Sequence, residues 1–140
     1  MNPPPIRRSA GRALRGAVRL ALALAVLGAP PPIAAGKADV IAAEMQPGGD
    51  GTWRISATVR HADEGRGHYA DAWQALAPDG RVLATRELHH PHVDEQPFTR
   101  SLRGVRIPPG VSAVPIRARD SVHGHGGRRV TLTVPAETRQ

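Results

Sequence analysis

The chain has 140 residues, no cysteine and a formal net charge of +7 at pH 7 with histidine counted neutral. Without thiols there can be no disulfide, no cysteine-built zinc site and no thiolate nucleophile. The positive charge raises the question of nucleic acid, but it is unevenly placed. Residues 1–38 carry Arg7, Arg8, Arg12, Arg15, Arg19 and Lys37 with no acid, whereas residues 39–140 set 13 arginines against 12 acids. The body of the chain is nearly neutral, which argues against a nucleic-acid partner.

The first residues read as an export signal. A basic stretch to Arg19 is followed by the apolar run 20–29, then Pro30-Pro31-Pro32 and the small residues Ala34-Ala35-Gly36, the layout of a secretory signal peptide. The rival reading, a retained membrane anchor, fails on length, because spanning a bilayer takes about 20 apolar residues. Arg7-Arg8 hints at twin-arginine export, but Ser9-Ala10-Gly11 after it lack the apolar character of that signal. Cleavage after Gly36 or Ala38 satisfies the small-residue rule. The expected organisation is a signal peptide over 1–36, cleaved near 36–38, and one β-sandwich domain over 39–140. The mature protein is expected to be periplasmic or secreted, with no stable membrane span after signal cleavage. Lacking cysteine, it has no lipobox and must stand on its hydrophobic core alone.

Residues 40–45 form a short first strand. The second is the clearest: Trp53, Ile55, Ala57 and Val59 alternate with Arg54, Ser56, Thr58 and Arg60, one face inward and one in solvent. Residues 69–77 and 81–88 flank Pro78-Asp79-Gly80 and read as a hairpin, proline presetting one dihedral and glycine accepting a positive one. Residues 98–102 make a short fifth strand. Val114, Ile116 and Ala118 alternate with Pro115, Arg117 and Arg119, and Val130, Leu132 and Val134 with Arg129, Thr131 and Thr133. About seven strands separated by Gly/Pro-rich turns, with no convincing helix, predict an all-β fold, a single immunoglobulin-like antiparallel β-sandwich. Trp73 lies on the third strand, where such sandwiches often bury a tryptophan. A closed barrel is the alternative.

Tyr69-Ala70-Asp71-Ala72-Trp73, Pro78-Asp79-Gly80 and the segment His90-Pro91-His92-Val93-Asp94-Glu95-Gln96-Pro97-Phe98-Thr99-Arg100-Ser101 resemble a small uncharacterised family of secreted bacterial proteins. The likeness covers about the middle third of the chain. It implies export and one folded domain, and carries over no catalytic residue.

All seven histidines fall in three of the six connections: His61 and His68, then His89, His90 and His92, then His123 and His125. If successive strands run antiparallel, these connections share one end of the domain. Imidazole is the commonest metal ligand and titrates near neutral pH. His90-Pro91-His92 and His123-Gly124-His125 are His-x-His pairs, a spacing that sends both rings to one side of an extended segment. The leading candidates for a divalent-metal site are therefore His90, His92, His123 and His125, with His68, Asp71 and Asp94 as further ligands or orienting groups. Such donors suit Zn(II) or Cu(II).

Plainer readings stand beside these. Histidine is tolerated in polar loops, His61 can simply cap the inward face of its strand, and Asp71 can be satisfied by an arginine. Glu95 and Arg100 can lock their loop by an ion pair, and the glycines around His125 suit a hairpin tip. Ser121 beside Asp120 and His123 is no triad signature, so an enzyme is not expected; a small metalloenzyme would need an open coordination position and a substrate cleft. The alternative to a metal binder is a metal-free domain presenting its loops to a protein of the cell envelope.

Overall fold

The computed structural model describes residues 36–136; the leader expected over 1–36 lies outside them except for Gly36. Seven strands follow in order: β1 (Asp39–Pro47), β2 (Trp53–Arg60), β3 (Ala70–Leu76), β4 (Val82–Glu87), β5 (Phe98–Val105), β6 (Ala113–Asp120) and β7 (Val130–Thr133). They form a three-stranded sheet, β1-β2-β5, and a four-stranded sheet, β4-β3-β6-β7, every pairing antiparallel. The fold is the expected all-β sandwich. Its fourth strand pairs with the third, whereas in a constant-type immunoglobulin domain it joins the first, second and fifth.

The two-residue period explains the core. Trp53, Ile55, Ala57 and Val59 point inward from β2, and Val114, Ile116 and Ala118 from β6, all at most 3% exposed. Trp73, Phe98 and Leu132 pack among them, Trp73 fully buried on β3. Outward-facing hydroxyls pair across β2 and β5, with Ser56 and Ser101 at 2.7 Å and Thr58 and Thr99 at 2.8 Å. At the hairpin 77–81 the Ala77 amide donates to the Arg81 carbonyl and Gly80 adopts the positive φ its turn requires. The chain entering β1 is laced to the start of β7: the Val40 amide donates to the Arg128 carbonyl, and the Arg128 amide to the Asp39 carboxylate.

A register shift between Ala70 and Ala72 on β3 removes Asp71 from the alternation that would have put it on the Trp73 face. It sits partly exposed and takes a bidentate pair of hydrogen bonds from Arg119, at 2.8 and 3.2 Å. That hydrogen bond, against the opposing effect of burial, raises the Arg119 guanidinium above its ordinary pKa. Because β4 and β6 both run antiparallel to β3, the connections β2–β3, β4–β5 and β6–β7 meet at one end. All seven histidines lie there.

Candidate metal centre

The loop between β2 and β3 folds back on itself. The Glu64 amide donates to the His68 carbonyl and the His68 amide to the Gly65 carbonyl, around a Gly65 whose φ of 121° needs a residue without a side chain. The turn lays the His68 ring edge-on against His61, centroids 4.7 Å apart. His61 is 3% exposed, and Asp63, two residues on, is also buried.

Asp63 organises this end of the molecule. Its Oδ1 lies 2.6 Å from His61 Nδ1 and accepts from the Ala70 amide at 3.0 Å, while Oδ2 accepts from the His92 amide at 2.7 Å. One carboxylate thus ties the β2–β3 loop to the start of β3 and to the β4–β5 loop. A carboxylate accepts only, so the proton of a neutral His61 is assigned to Nδ1. The Nε2 lone pair is then directed at the Gly36 carbonyl oxygen, 3.2 Å away. Two acceptors facing each other make no hydrogen bond; a cation or an added proton between them reconciles the contact.

His68 Nε2 faces the same carbonyl oxygen at 3.3 Å and the Asp120 Oδ1 at 3.3 Å. Asp120 closes β6 with its side chain fully buried. Its Oδ1 accepts the amides of Val122 (2.9 Å) and His123 (2.7 Å) and lies 3.1 Å from His123 Nδ1. Burial pushes the Asp120 pKa up, but the amide hydrogen bonds from His123 and Val122, helped by the His123 ring, outweigh it and hold the carboxyl below its ordinary value. It is an anion at neutral pH. Its Oδ2 is buried with no hydrogen-bond partner among the described residues.

His61, His68 and Asp120 each offer one ligand atom, and the three atoms lie within 4.8 Å of one another. Tetrahedral zinc with bonds of 2.0–2.1 Å separates its ligands by about 3.4 Å. The contacts of Gly36 O with His61 Nε2 and His68 Nε2, and of His68 Nε2 with Asp120 Oδ1, already measure 3.2, 3.3 and 3.3 Å. Asp63 holding the outer nitrogen of His61 is the carboxylate–histidine arrangement typical of metal sites. His123, with its ring 5.0 Å from His68 and its side chain 40% exposed, stands at the mouth.

The residues expected from the sequence are distributed as follows. His68 and His123 are in this cluster. His125 is turned away, its Nδ1 3.2 Å from the Ala118 carbonyl. The segment between His123 and His125 is not extended: Gly124 has a φ of 70° and exchanges backbone hydrogen bonds with Asp120, so the two rings meet different partners. His92 is buried and stacked on Phe98 at 3.8 Å, with the exposed His90 beside it at 4.6 Å. That pair keeps its side-by-side arrangement but meets the cluster only through Asp63. Asp71 is engaged by Arg119, and Asp94 is exposed. Glu95 and Arg100 do form the loop-locking ion pair, at 3.1 Å, which holds the Glu95 carboxyl below its ordinary pKa. His61, Asp63, Asp120 and Gly36 are the additions. A strand-end carboxylate opposite a strand-start histidine was the available signal, since Ala70 and Asp120 are register partners.

Compared with known proteins, the chain is 36% identical over 96 residues to a protein of Halomicrobium mukohataei described as "Putative lipoprotein". The match covers 69% of this chain and 47% of that protein, so the chain spans about half the length of the relative. No family model matches it. No solved structure matches it either. Among the described residues no helix is long and apolar enough to cross a membrane.

Proposed function

We propose that this is an exported β-sandwich domain that binds one divalent transition-metal ion at its histidine end, through His61 Nε2, His68 Nε2, Asp120 and the Gly36 carbonyl. The single observation behind the reading is the closeness of these donors, the three side-chain ligand atoms within 4.8 Å of one another and the Gly36 carbonyl oxygen 3.2 and 3.3 Å from the two imidazole nitrogens. Two imidazole nitrogens, an anionic carboxylate and a carbonyl face each other, with Asp63 fixing the tautomer that frees the His61 lone pair. A mixed nitrogen and oxygen set of this kind suits Zn(II) or Cu(II) better than Mg(II) or Ca(II), which favour all-oxygen shells. Export is supported by the leader-like residues 1–36 and by a relative whose description is that of a lipoprotein. The sequence holds no cysteine to carry a thioether-linked lipid, so the similarity bears on the folded domain.

Calorimetric titration of Zn(II) and Cu(II) into the chelator-stripped, untagged protein tests this. One-to-one binding that is lost in His61→Ala, His68→Ala and Asp120→Asn and kept in His90→Ala and His125→Ala is the expected result. Binding no tighter than millimolar, or binding indifferent to these three residues, would overturn it. A second reading would then take over, in which the same end docks on an envelope protein; Val93 and Val122, 54% and 58% exposed on two of its three loops, favour that alternative.

A further inference from the structure

The outer face of the three-stranded sheet carries a groove, and the register shows how it arises. Ala42, Glu44 and Gln46 of β1 stand beside Thr58, Ser56 and Arg54 of β2, while Thr99 and Ser101 of β5 flank Thr58 and Ser56 on the other side. Alternation with the core residues turns these side chains outward. Alanine, serine and threonine are short, so the middle of the face is a hollow of about 350 Å³. A second hollow of about 420 Å³ continues it past Gln46 and Arg54, which line both, to the 47–52 turn and Arg103. Arg54 is held in place, its Nη2 donating to the Ser101 hydroxyl at 3.2 Å, and Ser101 lies 2.7 Å from the Ser56 hydroxyl. On β5 the register shifts between the pairs Trp53–Val105 and Ile55–Leu102, which sets Arg103 and Gly104 together opposite Arg54. Gly104, with a φ of 70°, absorbs the extra residue, so Arg103 stays exposed on the outer face while Val105 returns to the core. Two guanidiniums lining one hollow repel each other. Among the described residues neither has a carboxylate within ion-pair distance; the paired arginines are Arg100 and Arg119.

We propose that this groove binds a strand of an acidic polysaccharide, a sugar chain that bears carboxylates on its rings. Guanidinium meets carboxylate through a planar fork of donors, and a carboxylate set between Arg54 and Arg103 would replace their repulsion by attraction. Sugar hydroxyls both donate and accept. The hydroxyls of Ser56, Thr58, Thr99 and Ser101 and the Gln46 amide answer both roles, and the carboxylates of Glu44 and Asp50, which also line the groove, accept. Those two acids separate this ligand from nucleic acid, whose phosphate at every residue would meet them with like charge. The lining has no aromatic side chain on which a base could stack, and no large aliphatic one to hold an apolar peptide or a lipid tail. The groove follows β2 from Thr58 to Thr52, about 20 Å at the rise of a strand, which gives room for several sugar rings. No donor of the metal centre lines it, so this site stands independently of the metal-binding reading.

The experiment titrates oligogalacturonate, a uronate oligomer, into the full chain at low salt with chelator present. Three probes are compared with it: maltooligosaccharide has the hydroxyls without the carboxylates, polyglutamate the carboxylates without the sugar rings, and a DNA oligomer a dense phosphate charge. The expected result is that oligogalacturonate binds at least about tenfold more tightly than any of the three and loses affinity as salt is raised. Arg54→Gln and Arg103→Gln should each weaken it about fivefold, whereas Arg81→Gln, at the 77–81 turn, should leave it unchanged. Thr58→Gln fills the first hollow without altering charge and should weaken binding by a similar factor, which distinguishes a shaped groove from attraction between charges alone. Should an arginine variant fail to fold, the four probes and Thr58→Gln still decide. Absence of oligogalacturonate binding at millimolar concentration overturns the proposal, as does equal or tighter binding of maltooligosaccharide, polyglutamate or DNA. Binding indifferent to Arg54 and Arg103 overturns it as well.

Discussion

Replacing Asp63 by asparagine separates the two roles of that carboxylate. The amide would keep its oxygen toward His61 Nδ1 and the Ala70 amide, leaving its NH2 group where Oδ2 now accepts the His92 amide at 2.7 Å. A buried donor left unpaired costs about 1–3 kcal/mol. The two surviving bonds pass from charge-assisted to neutral, which weakens each by about half, or about 1 kcal/mol together. The expected loss is about 3 kcal/mol, a large share of the 5–15 kcal/mol typical of a domain. For a domain near this size that is a fall in Tm of about 12–24 °C. Calorimetric melting of the metal-free protein reads it, with Asp71→Asn as the control: the partly exposed Asp71–Arg119 pair is worth at most about 1 kcal/mol. Metal affinity should fall about 10–100-fold in Asp63→Asn, because His61 loses the partner that orients it. If Asp63→Asn melts within the range of Asp71→Asn and binds metal as the parent does, Asp63 is not the organiser of this end.

Three further outcomes are expected. Gly127→Ala would drive its Cβ into the Ala38 carbonyl, backbone that cannot swing aside; it should unlace β1 from β7 and prevent a cooperative thermal transition, whereas Gly49→Ala, which meets nothing, should melt like the parent. Acid stability should depend on His92: burial first, then the charges of Arg100 and His90, hold its ring below the ordinary 6.5. The unfolded ring gains a proton as the pH falls through about 6.5 while the folded ring stays neutral, so its contribution is whole above that pH and is lost progressively below it. His92→Phe, which preserves the stack on Phe98, should flatten the dependence of Tm on pH between about 6.5 and 5, and an unchanged slope would count against the burial argument. Zn(II) at a free concentration 100 times its dissociation constant should stabilise the fold by about 2.7 kcal/mol. A Tm rise of about 10–20 °C, reversed by chelator and absent in His68→Ala, is the corresponding reading.

The strands were legible because each is short, alternates strictly and is bounded by proline or glycine. Trp53 to Val59 and Val114 to Ala118 bury the faces their spacing assigns. Antiparallel order alone placed the histidines at one end. What spacing could not supply was loop conformation. His-x-His implies two rings on one side only if the segment is extended, and Gly124 bends it. Asp71 left its expected face through a one-residue shift in register, a feature set by the pairing of β3 with β6. Asp63 carries no local signal, since its three hydrogen-bond donors come from residues 61, 70 and 92. Asp120 looked like a neighbour of Ser121 and His123 until β6 was paired with β3, which sets it opposite Ala70 and beside His68.

The placement of the four donors bears on how a domain without disulfides holds together. Gly36 leads into β1 and His61 follows β2, both strands of the three-stranded sheet. His68 leads into β3 and Asp120 ends β6, both strands of the four-stranded sheet. Side chains from both sheets pack into one core between them, and the Val40 amide crosses from one sheet to the Arg128 carbonyl beside the other. An ion held by all four donors would fasten one sheet to the other, as a disulfide between sheets does in antibody domains. Ligands that converge only in the folded chain deliver their binding free energy to folding. The ion would therefore link residues as distant as Gly36 and Asp120, and its removal would loosen the histidine end before the β-turn end that closes β1–β2 and β3–β4.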